Sequence, residues 1–119
     1  MLTRHIPHVL VVDDAPGVCA LVEAALEEIG TRVSCATTAD RARDIIAAGP
    51  VDLALVDIVL NGESGLGIAR HALTSGARVL LMSGFADAHG ADLPFPFLAK
   101  PFAIRELVDI VSFLTRAAA

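Results

Sequence analysis

The sequence predicts an α/β domain, a parallel sheet covered by helices on both faces, and three observations carry that expectation. Short apolar runs alternate with helix-period stretches along the whole chain. The runs are continuously apolar, as strands buried on both faces are. Gly and Pro punctuate the junctions between them. Parallel strands need a crossover, and the helix-period stretches supply one between successive strands. A length of 119 residues fits a single domain over 1–119.

HVLVV (8–12) is the first strand, and Asp13 and Asp14 occupy the turn after it. Pro16 stands where a first helical turn tolerates a residue without an N–H. The helix over 16–29 sets Val18, Leu21, Val22, Ala25, Leu26 and Ile29 on one stripe, with Gly30 as its stop. RVSCA (32–36) is the second strand; Thr37 or Thr38 caps a helix over 39–48, and Gly49-Pro50 breaks it. DLALVDIVL (52–60) is the central strand, followed by a helix over 65–75 that ends at Gly76. ARVLLMS (77–83) and FPFLA (95–99) are the fourth and fifth strands. A last helix over 102–116 turns Ile104, Leu107, Val108, Val111 and Leu114 inward. Between Ser83 and the fifth strand, Gly90, Pro94 and Pro96 oppose a long helix, so the crossover there is expected to be one turn or missing.

An apolar fraction of 55% exceeds the common range, yet no stretch approaches the roughly 18 uninterrupted apolar residues of a membrane span, so no membrane partner is expected. A net charge of −5 without clustered Lys or Arg argues against direct nucleic-acid binding. Cys19 and Cys35 lack a CxxC or Cys/His spacing and read as ordinary thiols, consistent with a reducing cytoplasm. MLTRHIPH has no apolar stretch of the secretory kind. His5, His8, His71 and His89 show no metal-ligand spacing.

The chemistry lies in where the polar residues fall. Asp13 and Asp14 end the first strand, Asp57 the third, Ser83 the fourth and Lys100 the fifth. In an open parallel sheet these strand ends face one crevice, where ligands gather. Carboxylates crowded there repel unless a cation neutralises them, and an all-oxygen acidic cluster suits a hard ion such as Mg²⁺. An Asp beside such an ion can attack phosphorus while an ammonium and a hydroxyl share the phosphoryl charge. Asp57, Lys100 and Ser83 fit those parts. Each position alone could be a cap or turn residue; together, at four strand ends, they form a pattern.

VLVVDD (9–14), LVDIVLNGESG (55–65), LLMSG (80–84) and FLAKPF (97–102) resemble, in order, the motif blocks of bacterial response-regulator receiver domains of the CheY-like superfamily. The resemblance spans essentially the whole chain. It implies a flavodoxin-like (βα)5 fold, five parallel strands in the order 2-1-3-4-5. It makes Asp57 the phosphoacceptor, Asp14 a direct Mg²⁺ ligand, Asp13 a ligand acting largely through water, and Val59 a ligand through its carbonyl. Lys100 resembles the phosphate-binding Lys, and Lys100-Pro101 the family's cis step. Ser83 resembles the switch hydroxyl and Phe97 the switch aromatic, although a Phe in an apolar strand also reads as core packing. Gly84 would leave room for an incoming phosphohistidine, whereas Val59 and Phe85 would crowd an attacking water and slow hydrolysis. The implied partners are a histidine kinase or histidine phosphotransfer protein and a downstream protein.

Two departures stand out: LNGESG replaces a frequent Met-Pro pair after the acceptor, and the stretch between Ser83 and Lys100 is short. The second leaves open a receiver-like interaction module that does not cycle phosphate. A Mg²⁺-dependent phosphatase would want a second acid close after the nucleophile, but Asp57 is followed by Ile58, Val59 and Leu60. A nucleotide site would want GxGxxG or GxxxxGK[ST], and neither occurs. The expectation is a phosphoacceptor switch and not a turnover enzyme.

Overall fold

The computed structural model describes residues 5–84 and 95–116. In chain order the elements are β1 (His8–Val12), α1 (Pro16–Glu27), β2 (Arg32–Ala36), α2 (Ala39–Ala48), β3 (Leu53–Asp57), β4 (Val59–Leu60), β5 (Glu63–Ser64), α3 (Leu66–Thr74), β6 (Arg78–Gly84), β7 (Phe97–Lys100) and α4 (Ile104–Arg116). Five of the strands form one parallel sheet in the order β2-β1-β3-β6-β7. That is the expected 2-1-3-4-5 arrangement, with β6 and β7 as its fourth and fifth strands. The expected short or missing crossover before β7, with His89, Gly90 and Pro94, lies outside the described residues.

Successive strand residues point to opposite faces, so each strand feeds two cores. Leu10, Val12, Ala54, Val56 and Leu81 pack with Ile45, Ile46, Ile68 and Ala72 of α2 and α3. Val9, Val11, Leu53, Leu55, Leu80 and Met82 pack with Val22 and Leu26 of α1 and Leu107 and Val111 of α4. Full burial of one such Leu contributes about 1.5–3 kcal/mol, which is why the central strands carry almost no polar residue before their ends.

Boundaries differ from expectation where local bonds intervene. Helix α1 stops at Glu27 because the N–H groups of Gly30 and Thr31 turn back onto Glu27 and Leu26. The last turn therefore leaves Ile29 46% exposed, and Leu21 at 54% is also outside the packed stripe. The central strand ends at Asp57, not Leu60: the Val59 N–H turns onto the Asp57 carboxylate, and Val59–Leu60 pairs antiparallel with Glu63–Ser64. Thr38, not Thr37, caps α2, its Oγ1 accepting from the N–H of Arg41. Strand β7 starts at Phe97, not residue 95, with the Pro96 carbonyl accepting from Leu81 just before it. Helix α4 starts at Ile104, not residue 102, its first bond running from Leu107 to the Ala103 carbonyl. Among the described residues no helix is long and apolar enough to cross a membrane.

Candidate phosphoacceptor and metal site

Parallel pairing brings the ends of β1, β3, β6 and β7 to one edge of the sheet. Asp57 lies opposite Met82, Ser83 opposite Ala99 and Gly84 opposite Lys100. The Lys100 ammonium reaches across that edge and donates to Asp13 Oδ2 at 2.6 Å and to Asp57 Oδ2 at 2.9 Å. Asp13 and Asp57 are buried and Asp14 is exposed; one carboxylate oxygen from each lies within 4.8 Å of the others.

Each carboxylate is held by backbone donors. Asp13 Oδ1 accepts from the Ala15 N–H at 2.9 Å, and Asp57 Oδ1 from the Val59 N–H at 3.0 Å. Asp14 Oδ2 accepts from the Asn61 N–H at 2.9 Å. Burial works against the charge on Lys100, but hydrogen bonds and attraction from Asp13 and Asp57 outweigh it and hold the ammonium above its ordinary value. Among the described residues, three acids and one base meet there, a surplus of negative charge. Hard oxygen donors this close together fit a hard divalent cation such as Mg²⁺.

Asp13, Asp14, Asp57 and Lys100 thus converge as the strand ends suggest. Ser83 is fully buried beside them and donates its hydroxyl to the Gly84 carbonyl at 2.9 Å. Phe97 is 46% exposed, which excludes plain core packing for it. The Lys100-Pro101 bond is cis. Val59 is exposed on the rim, and Phe85 lies outside the described residues.

A scan against family models matches the response regulator receiver domain over residues 9–112. The chain belongs to the receiver domain family. The receiver is similar to the transcriptional regulatory protein AruR of Pseudomonas aeruginosa, 36% identical with 93% of this chain covered and 50% of that protein. It is also similar to the sensor histidine kinase GacS of Pseudomonas protegens, 27% identical over 92% of the chain and 13% of that protein. The receiver therefore spans half or less of the length of these two relatives. Among solved structures, a CheY-like receiver domain from Methanospirillum hungatei JF-1 superposes with a TM-score of 0.79 at 27% identity, covering 94% of this chain and 96% of that one.

Two site residues escape sequence reasoning. Gly65 is required by close approach, because a Cβ there would run into the Asp57 carbonyl. Asn61 ties down Asp14, and the signal for it was the Asn-Gly pair, which favours a two-residue hairpin turn. The thiols hold a further surprise: Cys35 Sγ lies 3.5 Å from the Cys19 carbonyl, so residues distant in sequence are neighbours. Both are free, and burial pushes both thiols up, Cys35 to about 12. His8 is buried, with Nε2 2.7 Å from Ser34 Oγ, while His5 and His71 are exposed.

Proposed function

We propose that this receiver accepts a phosphoryl group on Asp57 from the phosphohistidine of a histidine kinase or histidine phosphotransfer protein, and that the change at Asp57 is relayed through β6 and β7 to a partner protein. The observation that carries the reading is the Lys100 ammonium bridging Asp13 and Asp57 beside a third carboxylate. Mg²⁺ would be held by Asp13, Asp14, Asp57 and the Val59 carbonyl, and when bound would supply positive charge against the phosphoryl oxygens.

In the transfer, a carboxylate oxygen of Asp57 forms the new P–O bond while the P–N bond to the donor imidazole breaks, and the imidazole keeps the electron pair and takes a proton. The Val59 N–H keeps the Asp57 carboxylate from rotating, which lowers the entropic cost of attack. Lys100 offsets the charge on the phosphoryl oxygens. Gly84 places no side chain beside the acceptor, leaving room for the donor ring. The Ser83 hydroxyl, now on the Gly84 carbonyl, gains a stronger acceptor only once Asp57 is phosphorylated, so it biases the fold toward a second state. Phe97, now outward, fills the space that Ser83 leaves. Because the reaction consumes its own side chain, the protein acts as a switch with slow self-dephosphorylation and not as a turnover enzyme. At a net charge of −5, any effect on DNA would be exerted through a partner.

The test is to incubate the protein with a small acyl phosphate and Mg²⁺ and measure intact mass. Wild type should gain one phosphoryl group; Asp57→Ala, or either protein in chelator, should gain none. Folded wild type that never gains one would favour an interaction module without a phosphate cycle.

A further inference from the structure

Asp14 differs from the other two acids of the pocket. Asp13 and Asp57 are buried and share Lys100, whereas Asp14 is exposed and makes neither of those contacts. An exposed carboxylate samples several rotamers unless something holds it. Here the Asn61 backbone N–H holds Oδ2 at 2.9 Å. That N–H points at Asp14 because Val59–Leu60 and Glu63–Ser64 form a two-residue hairpin, with φ +53° at Asn61 and +80° at Gly62. Positive φ at both central positions is the type I′ turn, which Asn-Gly adopts at little steric cost. The same Asn61 extends its side-chain amide to the Thr37 carbonyl at 3.2 Å. Thr37 adjoins Thr38, whose Oγ1 caps α2. One residue therefore grips a pocket carboxylate with its backbone and the entrance of α2 with its side chain.

We propose that the Asn61-Gly62 hairpin is a latch: Asn61 is a positioning residue that pre-orients Asp14 for the metal and couples occupancy of the pocket to the loop that starts α2. A proline at 61, as a Met-Pro pair at Leu60-Asn61 would place there, could make neither bond. It has no N–H, no amide, and φ fixed near −65°. Groups that orient a metal ligand from behind commonly change affinity by about 10- to 100-fold when removed. By linkage, whatever tightens metal binding through the hairpin is itself tightened by metal.

The metal half of the proposal rests on the Mg²⁺ reading above, so the test separates the two. Mg²⁺ is titrated calorimetrically into metal-free protein. Asn61→Pro should bind about 10- to 100-fold more weakly than wild type. Asn61→Gly keeps the N–H and the turn and should bind nearly as well, yet lose the Mg²⁺-induced amide shift at Thr38 seen by NMR. Equal affinity in Asn61→Pro, or an equal Thr38 response in Asn61→Gly, would overturn the latch. A second measurement needs neither metal nor a hairpin variant: Asp14→Ala should release the Asn61 amide to faster hydrogen exchange, and unchanged protection would likewise overturn it. If wild type binds no Mg²⁺ while the exchange result holds, the metal reading fails and the Asn61–Asp14 tie survives.

Discussion

The two ends of the central sheet both carry buried polar side chains, and they use them differently. At the amino end, the Asp52 carboxylate accepts from the His8 N–H at 2.8 Å and lies 3.0 Å from His5 Nε2, while the Asp52 backbone bonds His8 and Arg78. His8 in turn sets Nδ1 2.9 Å from the Pro50 carbonyl and Nε2 2.7 Å from Ser34. Polar groups there are matched to local partners, and their effect is to fasten the lead-in to β1 onto β3. At the carboxyl end, Asp13 and Asp57 share the Lys100 ammonium, and a third carboxylate, Asp14, lies close to them without that contact. Buried polar groups that balance are structural; a surplus of one sign at a strand end is capacity for a ligand.

Removing the one base should give the largest effect at the carboxyl end. Lys100→Met is expected to slow labelling by the acyl phosphate roughly 10²–10³-fold, the range for loss of one electrostatic donor at a reacting centre. The initial rate by intact mass at saturating Mg²⁺ measures it. An unchanged rate would mean that Lys100 merely balances charge, as the partners of Asp52 do at the other end.

The converse substitution sharpens the contrast. Asp52→Ala should cost about 1–3 kcal/mol of unfolding free energy, from unmade bonds at the His8 N–H and the lost His5 contact. Urea denaturation measures the cost, and the labelling rate should remain that of wild type. A fall in rate parallel to Lys100→Met would show that the two ends are not independent.

How much of this was legible in the sequence follows from the range of each interaction. Placement of Asp13, Asp57, Ser83 and Lys100 near strand ends could be read because each apolar run meets a polar residue there, although the run through Asp57 continues to Leu60 and hides where β3 stops; parallel topology then gathers the ends. The inward stripe of α1 was only partly legible. Leu21 and Ile29 satisfy the helical period but are exposed, since the period alone does not say how wide a face the sheet will cover. The β4–β5 hairpin was hidden because two-residue strands are too short to show alternation, leaving only Asn61-Gly62 as a signal. Gly65 depends on the hairpin folding back onto the Asp57 carbonyl, and the Cys19–Cys35 contact on α1 lying against β2; the local residue pattern encodes neither.

Alkaline pH probes both layers with the smallest expected effect. Burial raises Cys35 from 9.0 to about 12, so between those values the unfolded chain has released this proton while the folded chain keeps it, and stability falls as pH rises. Lys100 adds a second loss. Burial lowers its pKa, but hydrogen bonds to Asp13 and Asp57 prevail and raise it, so its contribution is intact below the ordinary lysine value of 10.5 and disappears as pH climbs through the folded one. Urea midpoints taken stepwise above pH 9 should therefore decline in wild type. Cys35→Ala should flatten the early part, leaving the share owed to Cys19, and Lys100→Met should flatten the later part. If Cys35→Ala left the early slope untouched, Cys35 would be wetter than its burial implies, and the alkaline loss would belong to Cys19 and the pocket.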